Sequence, residues 1–313
     1  MKTYAYGVDI GGTSMKLGWF LTTGKLIESW EIKTRLESKG ANILSDIATT
    51  IQHHMQEKGL NKRDVEGIGL GVPGPVGADG VVYKCVNLGW DIMHVEKTLS
   101  DMLDLKVRAG NDANIAALGE MWMGGGRGYH NLVMVTLGTG VGGGIVINGT
   151  ILPGIHGAAG EIGHLCMKED ETEYCNCHKK GCLEQYASAT GILRCFKQRI
   201  LTNAKESFLK DVEHITVKDI FDAAKAGDEI ALQVIEETTS ILGKALAHIA
   251  CIINPEAFVI GGGVANAGDI LLKAIQKHFI TYAFHATRNT VFQLAELGNK
   301  AGIYGGVKLL LND

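Results

Sequence analysis

The stretch Val8-Asp9-Ile10-Gly11-Gly12-Thr13 runs from a short apolar strand into a glycine turn, and Lys16-Leu17-Gly18-Trp19-Phe20-Leu21 follows as a second strand. Glycine has no Cβ, so it lets backbone N–H groups approach a bound anion closely, and Thr13 adds a hydroxyl. Most glycine-rich hairpins are only turns. This one has a carboxylate, Asp9, at its start and a cation, Lys16, just beyond it, so residues 9–16 predict a phosphate-binding hairpin.

A second copy of this stretch begins at Val135. The stretch Val8-Asp9-Ile10-Gly11-Gly12-Thr13 aligns with Val135-Thr136-Leu137-Gly138-Thr139-Gly140, and both copies continue into another strand and a glycine turn. The alternative is a chance likeness between two glycine-rich turns. Two copies, rather than many, predict a duplicated βββαβ unit and not a solenoid. We therefore expect residues 138–144, with Gly138, Thr139 and Gly140 in the turn, to bind phosphate as well.

A third glycine run, Gly261-Gly262-Gly263, follows a strand at residues 257–260. Three such turns together indicate a nucleotide site more strongly than one does. Neither hairpin fits G-x-x-x-x-G-K-[ST], the phosphate loop of P-loop kinases, or the G-x-G-x-x-G that precedes a helix in Rossmann dinucleotide sites. Both of those classes are therefore disfavoured. Because carboxylates suit Mg²⁺, Asp9 is a candidate to hold that ion through water.

The bulk composition is that of an α/β protein of two domains. The chain has 313 residues, of which 46% are apolar and 20% charged, and a domain usually takes about 100–200 residues. A net charge of −4 gives no support for a nucleic-acid or anionic-membrane partner. We find neither the apolar core of a signal peptide nor an apolar run of about 18 residues. A cytoplasmic protein is expected.

Apolar spacing places most of the helices. Ile43, Ile47, Ile51 and Met55 follow the helical period and predict a helix over residues 41–57. The same reasoning predicts helices at residues 91–103, 113–123, 183–199, 217–226, 229–253, 269–278 and 301–311, and buried strands at 68–72, 106–109 and 257–260. We also expect Trp90 in the core or at an interface rather than in the lining of a sugar pocket, Cys85, Cys166, Cys195 and Cys251 buried, and His53 and His54 in solvent.

Asn111-Asp112 lies between a predicted strand and a predicted helix, so both side chains can project into a cleft. Phosphoryl transfer needs a group that orients the attacking hydroxyl and accepts its proton. Asp112 suits that role. The alternative is that Asp112 caps the helix, and one residue can do both.

Four metal-ligating side chains follow: His164, Cys175, Cys177 and Cys182. One imidazole and three thiolates make a closed, tetrahedral zinc site of the structural type. The alternatives are reduced, unlinked thiols or a disulfide formed on oxidation. Glu161 and Glu184 flank this group. Carboxylates and imidazoles bind sugar hydroxyls well, although an isolated Glu or His is more often structural.

These motifs together resemble a known family. The stretches Asp9-Ile10-Gly11-Gly12-Thr13, Leu137-Gly138-Thr139-Gly140 and Gly261-Gly262-Gly263 look like the phosphate-1, phosphate-2 and adenosine motifs of the actin-like ATPase superfamily. Within it, the chain resembles the ROK family over essentially its whole length, and most of all that family's glucokinases. One departure is His178, because the family pattern usually has Gly directly after the second cysteine. We expect His178 to point outward.

The resemblance implies an actin-like α/β fold with two domains flanking a cleft. The smaller would span residues 1–120 with the last helix, 301–313, packed onto it, and the larger residues 121–300 with the zinc site. ATP and Mg²⁺ would bind Asp9, Gly11, Gly12, Thr13, Lys16, Gly138, Thr139, Gly140, Gly261, Gly262 and Gly263. Asp112 would be the catalytic base. The sugar would bind Gly74, Asn111, Asp112, Glu161, His164 and Glu184.

The implied reaction is ATP-dependent phosphorylation of the C6 hydroxyl of glucose. Composition and spacing leave fructose, mannose and N-acetylmannosamine open as acceptors. The family also includes sugar-responsive repressors with an N-terminal helix-turn-helix domain, for which we see no room before the first hairpin. A non-enzymatic actin-like assembly protein would not need Glu161, His164 or the cysteines. The resemblance also suggests a homodimer.

Overall fold

The computed structural model describes residues 2–77, 79–202 and 206–312. It divides into two compact units. The first comprises Met1–Leu132, Gly144–Gly160 and Glu296–Asp313, and the second Val133–Gly143 and Glu161–Ala295. The domain limits expected from the sequence stay a prediction. Within the described residues, no helix has the length and apolar character needed to cross a bilayer.

The first sheet has five strands in the order β3-β2-β1-β4-β5. Their bounds are β1 Tyr4–Ile10, β2 Ser14–Leu21, β3 Leu26–Lys33, β4 Val65–Val72 and β5 Val107–Asn111. The first three form an antiparallel meander, while β1, β4 and β5 run parallel. Parallel strands end at the same edge of a sheet, so this arrangement gathers three strand ends.

The second sheet repeats the first. Its strands are β6 Leu132–Leu137, β7 Val141–Ile147, β8 Thr150–Ile151, β9 Ala257–Gly261 and β10 Val291–Leu294, in the order β10-β9-β6-β7-β8. Read from the other side, each sheet has its strands in the order third, second, first, fourth, fifth. β7 and β8 are antiparallel, and β9 and β10 are parallel. The duplication predicted from the two glycine hairpins is therefore confirmed, and the chance alternative is wrong.

Ten helices accompany the described strands. They are α1 Glu37–Gly40, α2 Ile43–Glu57, α3 Val95–Leu103, α4 Asp112–Met123, α5 Glu184–Ala187, α6 Ala189–Thr202, α7 Val217–Lys225, α8 Glu229–Ile253, α9 Asp269–Tyr282 and α10 Ala301–Leu311. The bounds of α8 and α10 match the prediction. Residues 183–199 were expected to form one helix, but the extended backbone of Ser188 divides α5 from α6.

The core of the first unit forms where apolar helix faces meet the sheet. Ile43, Ile47 and Ile51 of α2 are fully buried against side chains of β1 and β4, as their spacing predicts. On the other side, α10 packs against α4, β1 and β4. The last helix of the chain therefore belongs to the first sheet, although its sequence follows the second.

The expectations for His54, Cys166 and Cys251 are wrong, those for Trp90, Cys85 and His53 are confirmed, and Cys195 is only partly buried. His54 is buried: its Nδ1 lies 2.8 Å from the hydroxyl of Tyr6, and its ring stacks on Trp30 with centroids 4.6 Å apart. Cys166, which forms an isolated β-bridge with Cys182, and Cys251, near the end of α8, are exposed. Trp90 is in the core, and its Nε1–H donates to the carbonyl of Gly40.

Candidate functional site

Two carboxylates meet at the edge where β1, β4 and β5 end. The strand register places Asp9 beside Gly71, and Val72 beside Asn111. Gly71 permits the approach, because a Cβ there would lie 3.3 Å from Oδ1 of Asp9 and 3.8 Å from Cα of Asp112. The structure thus brings together the two acidic residues that the sequence selected for metal binding and catalysis.

The environment of Asp9 makes its charge costly. Burial, and then the charge of Asp112, raise the pKa of Asp9 to about 6, while Lys16 opposes this rise. Lys16 lies directly opposite Asp9 on β2. The arrangement suits a site that receives an additional cation, since a second positive charge would stabilise both carboxylates.

The first hairpin is held by a residue that sequence reasoning missed. The N–H of Gly11 donates to the carbonyl of Ser14 at 3.0 Å, which closes the turn. Thr34, just past β3, then donates its hydroxyl to the carbonyl of Gly11 at 2.7 Å and its N–H to that of Thr13 at 3.0 Å. A single threonine after a strand gives little signal in a sequence, because its partners lie about twenty residues away.

Asn111, and not Asp112, caps α4. The Asn111 side-chain oxygen accepts from the N–H groups of Ala113 and Asn114 at 3.1 and 3.2 Å. Its amide donates to the carbonyl of Gly74 at 3.2 Å and to Oδ1 of Asp112 at 3.0 Å. The N-cap residue of α4 is therefore Asn111, although Oδ1 of Asp112 also accepts from the N–H of Ala113 at 2.8 Å, and Asn111 connects the loop after β4 to the candidate base.

The second hairpin lies in the second unit and is closed in a similar way. The N–H of Gly138 donates to the carbonyl of Gly140 at 3.0 Å. The start of α6 contacts the same turn, because the Ala189 N–H and the Thr190 hydroxyl donate to its carbonyls. Neither Ala189 nor Thr190 was selected from the sequence.

The third glycine turn abuts the strand that leads into the second hairpin. Gly262 has a φ of 84°, and a Cβ there would lie 2.5 Å from the carbonyl oxygen of Leu137. Only glycine suits that conformation and that approach. Gly261 closes β9, and Gly263 opens a 3-10 turn. The two glycine motifs of this unit are therefore neighbours.

The predicted sugar ligands of the second unit lie near its cysteines. His164 ends a 3-10 turn, and its Nε2 lies 4.0 Å from Oε2 of Glu161. Oε2 of Glu184 accepts from the N–H of Val141 at 3.1 Å, and its Oε1 lies 3.5 Å from Sγ of Cys175. Glu184 thus contacts both the second hairpin and the cysteine group.

The ligand atoms of His164, Cys175, Cys177 and Cys182 all lie within 4.8 Å of one another. Sγ of Cys177 is 3.6 Å from Sγ of Cys182, and Sγ of Cys175 is 3.8 Å from Nδ1 of His164. A tetrahedral zinc with Zn–S bonds of about 2.3 Å sets such atoms roughly 3.5–3.8 Å apart, whereas a disulfide needs about 2.05 Å. The donor set fits zinc.

His178 is exposed and is not a member of that group. Its φ of 63° lies in the left-handed region, which glycine adopts readily and other residues seldom do. The same position is the one where the related pattern has Gly. The turn therefore keeps its shape with a different residue.

A family model, two curated relatives and a solved structure are similar to this chain over nearly its whole length. A family model described as "ROK family" matches residues 5–313. A glucokinase of Halalkalibacterium halodurans is 45% identical, over 96% of this chain and 92% of its own. A glucokinase of Thermotoga maritima is 33% identical, over 99% and 98%. A solved ROK family glucokinase from Streptomyces griseus, in complex with glucose and AMPPNP, is similar with a TM-score of 0.76 and 32% identity, over 99% and 100%.

Proposed function

The chain belongs to the ROK family, and on that premise we propose that it transfers the γ-phosphoryl group of ATP to the C6 hydroxyl of glucose. The products are glucose 6-phosphate and ADP. The observation that carries this proposal is the pair Asp9 and Asp112 beside Gly71, at the edge where three parallel strands end. The glucokinases among its relatives support glucose as the acceptor.

Asp112 is the base of the proposed reaction. As the C6 oxygen attacks the γ-phosphorus, its proton passes to the Asp112 carboxylate, and the bond between the phosphorus and ADP breaks. Asn111 donates to Oδ1 of Asp112 at 3.0 Å and so fixes the orientation of that carboxylate. The contribution of a positioned base is about 10²–10⁴-fold in rate.

ATP is the second substrate, and its phosphates would lie against the two hairpins. The N–H groups of Gly12 and Thr13 on one hairpin and of Thr139 and Gly140 on the other are the proposed donors, with the charge of Lys16 beside them, while the N–H groups of Gly11 and Gly138 close the two turns. Gly261, Gly262 and Gly263 would receive the adenosine. Asp9 would hold the Mg²⁺ ion bound with ATP through water, and that ion would neutralise phosphate charge.

The sugar hydroxyls would bind five residues of the candidate site. The proposed ligands are Gly74 through its backbone, Asn111, Glu161, His164 and Glu184. Zn²⁺ would be held by His164, Cys175, Cys177 and Cys182. An ion held there would supply a structural cross-link, and Nδ1 of His164, which lies 3.8 Å from Sγ of Cys175, would be its ligand and would leave Nε2 for the sugar.

A coupled assay of ADP release across a panel of sugars tests the function. We expect glucose to give the highest kcat/KM among glucose, fructose, mannose and N-acetylmannosamine. Asp112→Asn should lower kcat by at least about 100-fold with little change in nucleotide affinity, because it removes the base and keeps the shape.

The matched control is Asp104→Asn, which changes an exposed aspartate at the end of α3. It should leave kcat unchanged. The kinase proposal is wrong if no sugar raises turnover above background. A preference for another hexose would change the assigned substrate but not the type of reaction. Full activity in Asp112→Asn would refute the assigned base.

We also propose a cytoplasmic homodimer whose partners are sugar and ATP, with no role for nucleic acid. This rests on the family and on a net charge of −4. Light scattering of the purified protein tests the dimer. Specific, tight binding to an operator DNA would instead favour a sugar-responsive regulator.

A further inference from the structure

One segment of the second unit, residues 182–190, joins the cysteine group to the second hairpin. It begins with a predicted metal ligand, Cys182, and ends in the first turn of α6. It touches the hairpin through three hydrogen bonds. These are Val141 N–H to Oε2 of Glu184 at 3.1 Å, Ala189 N–H to the Gly138 oxygen at 2.8 Å, and the Thr190 hydroxyl to the Thr139 oxygen at 2.6 Å.

These bonds orient the peptide groups of the turn. A trans peptide is planar, so its C=O and N–H point in opposite directions. Because the carbonyls of Gly138 and Thr139 point toward the start of α6, the N–H groups of Thr139 and Gly140 point away from it. The segment therefore aims two of the N–H groups that the proposed function assigns to phosphate.

The segment is stiffened from within by Ser188, which is fully buried. Its hydroxyl donates to the carbonyl of Glu184 at 2.7 Å and accepts from the N–H of Gly191 at 2.9 Å. Oγ of Ser188 also lies 3.0 Å from Oγ1 of Thr190. Residues 184–191 are thus tied to one another as well as to the hairpin.

The other end of the segment is tied to the metal site. Cys182 supplies one of the four ligand atoms, and its N–H donates to Oε1 of Gln185 at 3.0 Å. A second ligand, Cys175, has its Sγ 3.5 Å from Oε1 of Glu184. A metal bound here would fix the beginning of the same segment that orients the hairpin.

We propose that Thr190 is a positioning residue for the nucleotide phosphates, and that residues 182–190 couple metal retention to nucleotide binding. This rests on the proposed function. Coupling between two sites is reciprocal in binding free energy, so nucleotide must raise the affinity for the metal by the same factor by which the metal raises the affinity for nucleotide. Thr190 carries the link at the hairpin end, and Cys182 at the metal end.

The test uses the full chain loaded with Zn²⁺ and three variants. Thr190→Val removes the hydroxyl and keeps the shape, and Thr190→Ser restores the hydroxyl. Thr202→Val is the matched control, because Thr202 ends the same helix and, within the described residues, its hydroxyl bonds to the carbonyls of Gln198 and Arg199 in that helix. Two quantities are measured: the Kd of ADP by calorimetry, and the Kd of zinc by equilibrium competition with a coloured chelator, with and without ADP.

We expect Thr190→Val to weaken ADP binding about fivefold, as the loss of one hydrogen bond does, and to reduce the effect of ADP on the Kd of zinc. Thr190→Ser and Thr202→Val should behave as the wild type. A lower melting temperature in Thr190→Val with unchanged ADP affinity would show a merely structural role and overturn the inference. So would an unchanged effect of ADP on the Kd of zinc. A wild-type chain that binds no nucleotide would overturn the proposed function, and the inference with it.

Discussion

Asp9 serves two opposing demands. Its side chain is buried next to Asp112, and together these raise its pKa to about 6. When no cation is bound, an ionised Asp9 destabilises the folded protein, because its carboxylate has lost hydrating water and lies next to a second negative charge. In the proposed reaction, the Mg²⁺ ion bound with ATP would supply the compensating positive charge. The residue therefore lowers the stability of the free protein in exchange for a binding site, as functional residues often do.

Asp9→Asn should make the free protein more stable at neutral pH. The folded state binds the Asp9 proton more tightly than the unfolded chain does, so the free energy of unfolding of the wild type falls between about pH 4 and pH 6 and this effect is complete above that window. The asparagine variant lacks this fall. Relative to wild type, it should gain up to about 3 kcal/mol between pH 4 and pH 7.5, measured by urea unfolding without nucleotide.

Asp91→Asn controls for the general effect of removing a carboxylate, because Asp91 is exposed. It should change stability equally little at both pH values. A difference between wild type and Asp9→Asn that does not depend on pH would contradict the prediction.

Some residues could be placed from the sequence and others could not. Asp9, Asn111 and Asp112 end or follow apolar runs, and the ends of parallel strands share one edge, so their meeting was predictable. The prediction that His54 lies in solvent was wrong, because the residues that cover it, Tyr6 and Trp30, lie on strands distant from it in sequence. A local pattern does not show which distant ring will cover a polar side chain.

At the scale of an element, the third glycine turn combines two constraints in one residue. Gly262 has a positive φ and lies against the carbonyl of Leu137, whereas a Cβ on its neighbour Gly263 would have no heavy atom within 4 Å. A side chain is therefore sterically excluded at Gly262 but not at Gly263. They form a matched pair for substitution.

Gly262→Ala should destabilise the protein by about 1–3 kcal/mol, because the methyl group meets the end of β6 in a conformation that alanine avoids. Gly263→Ala should stay within about 0.5 kcal/mol of wild type. Urea unfolding at one pH compares them. Equal losses in both variants would show that the close approach to Leu137 is not the cause.

The helices were more predictable than the breaks between them. Helix α8 begins after Asp228, whose side chain accepts from the N–H of Ala231, and ends at Asn254 in the left-handed conformation. Such end signals are local, and the predicted bounds of this helix were correct. The break at Ser188 depends on its contacts with Glu184 and Gly191 and with the hairpin beyond, so apolar spacing alone did not reveal it.

At the scale of the whole molecule, the predicted duplication and α/β architecture hold because both copies begin with the same strand and turn. The short strand β10, Val291–Leu294, was not predicted, since four residues carry little periodicity. The strand order within each sheet came from the structure, and the packing of α10 on the first sheet agrees with the resemblance. What the sequence could not show is which side chains, such as Thr34, hold each turn.

Removal of the metal should lower the stability of the whole chain. A metal that binds only the folded protein stabilises it by mass action, and here it would cross-link a region with little regular structure. We expect a strong chelator to lower the melting midpoint by about 5–10 °C. Cys177→Ser should have a similar effect, measured by scanning calorimetry.

Cys251→Ser is the control, because Cys251 is exposed and outside the metal group. It should leave both the midpoint and the zinc content unchanged. A zinc content near zero in the purified wild type, or no effect of the chelator, would argue for unlinked thiols.

The repeated strand order also bears on how this chain can evolve. After a duplication, each copy accumulates substitutions on its own, and the aligned positions record the divergence. Asp9 and Lys16 of the first copy align with Thr136 and Gly143 of the second. The first turn therefore carries a charged pair at these two positions, and the second turn carries uncharged residues there. An exchange of the two segments would place the threonine of the first turn at position 140, where a Cβ would lie 2.1 Å from Oε2 of Glu184, so the two copies are no longer interchangeable.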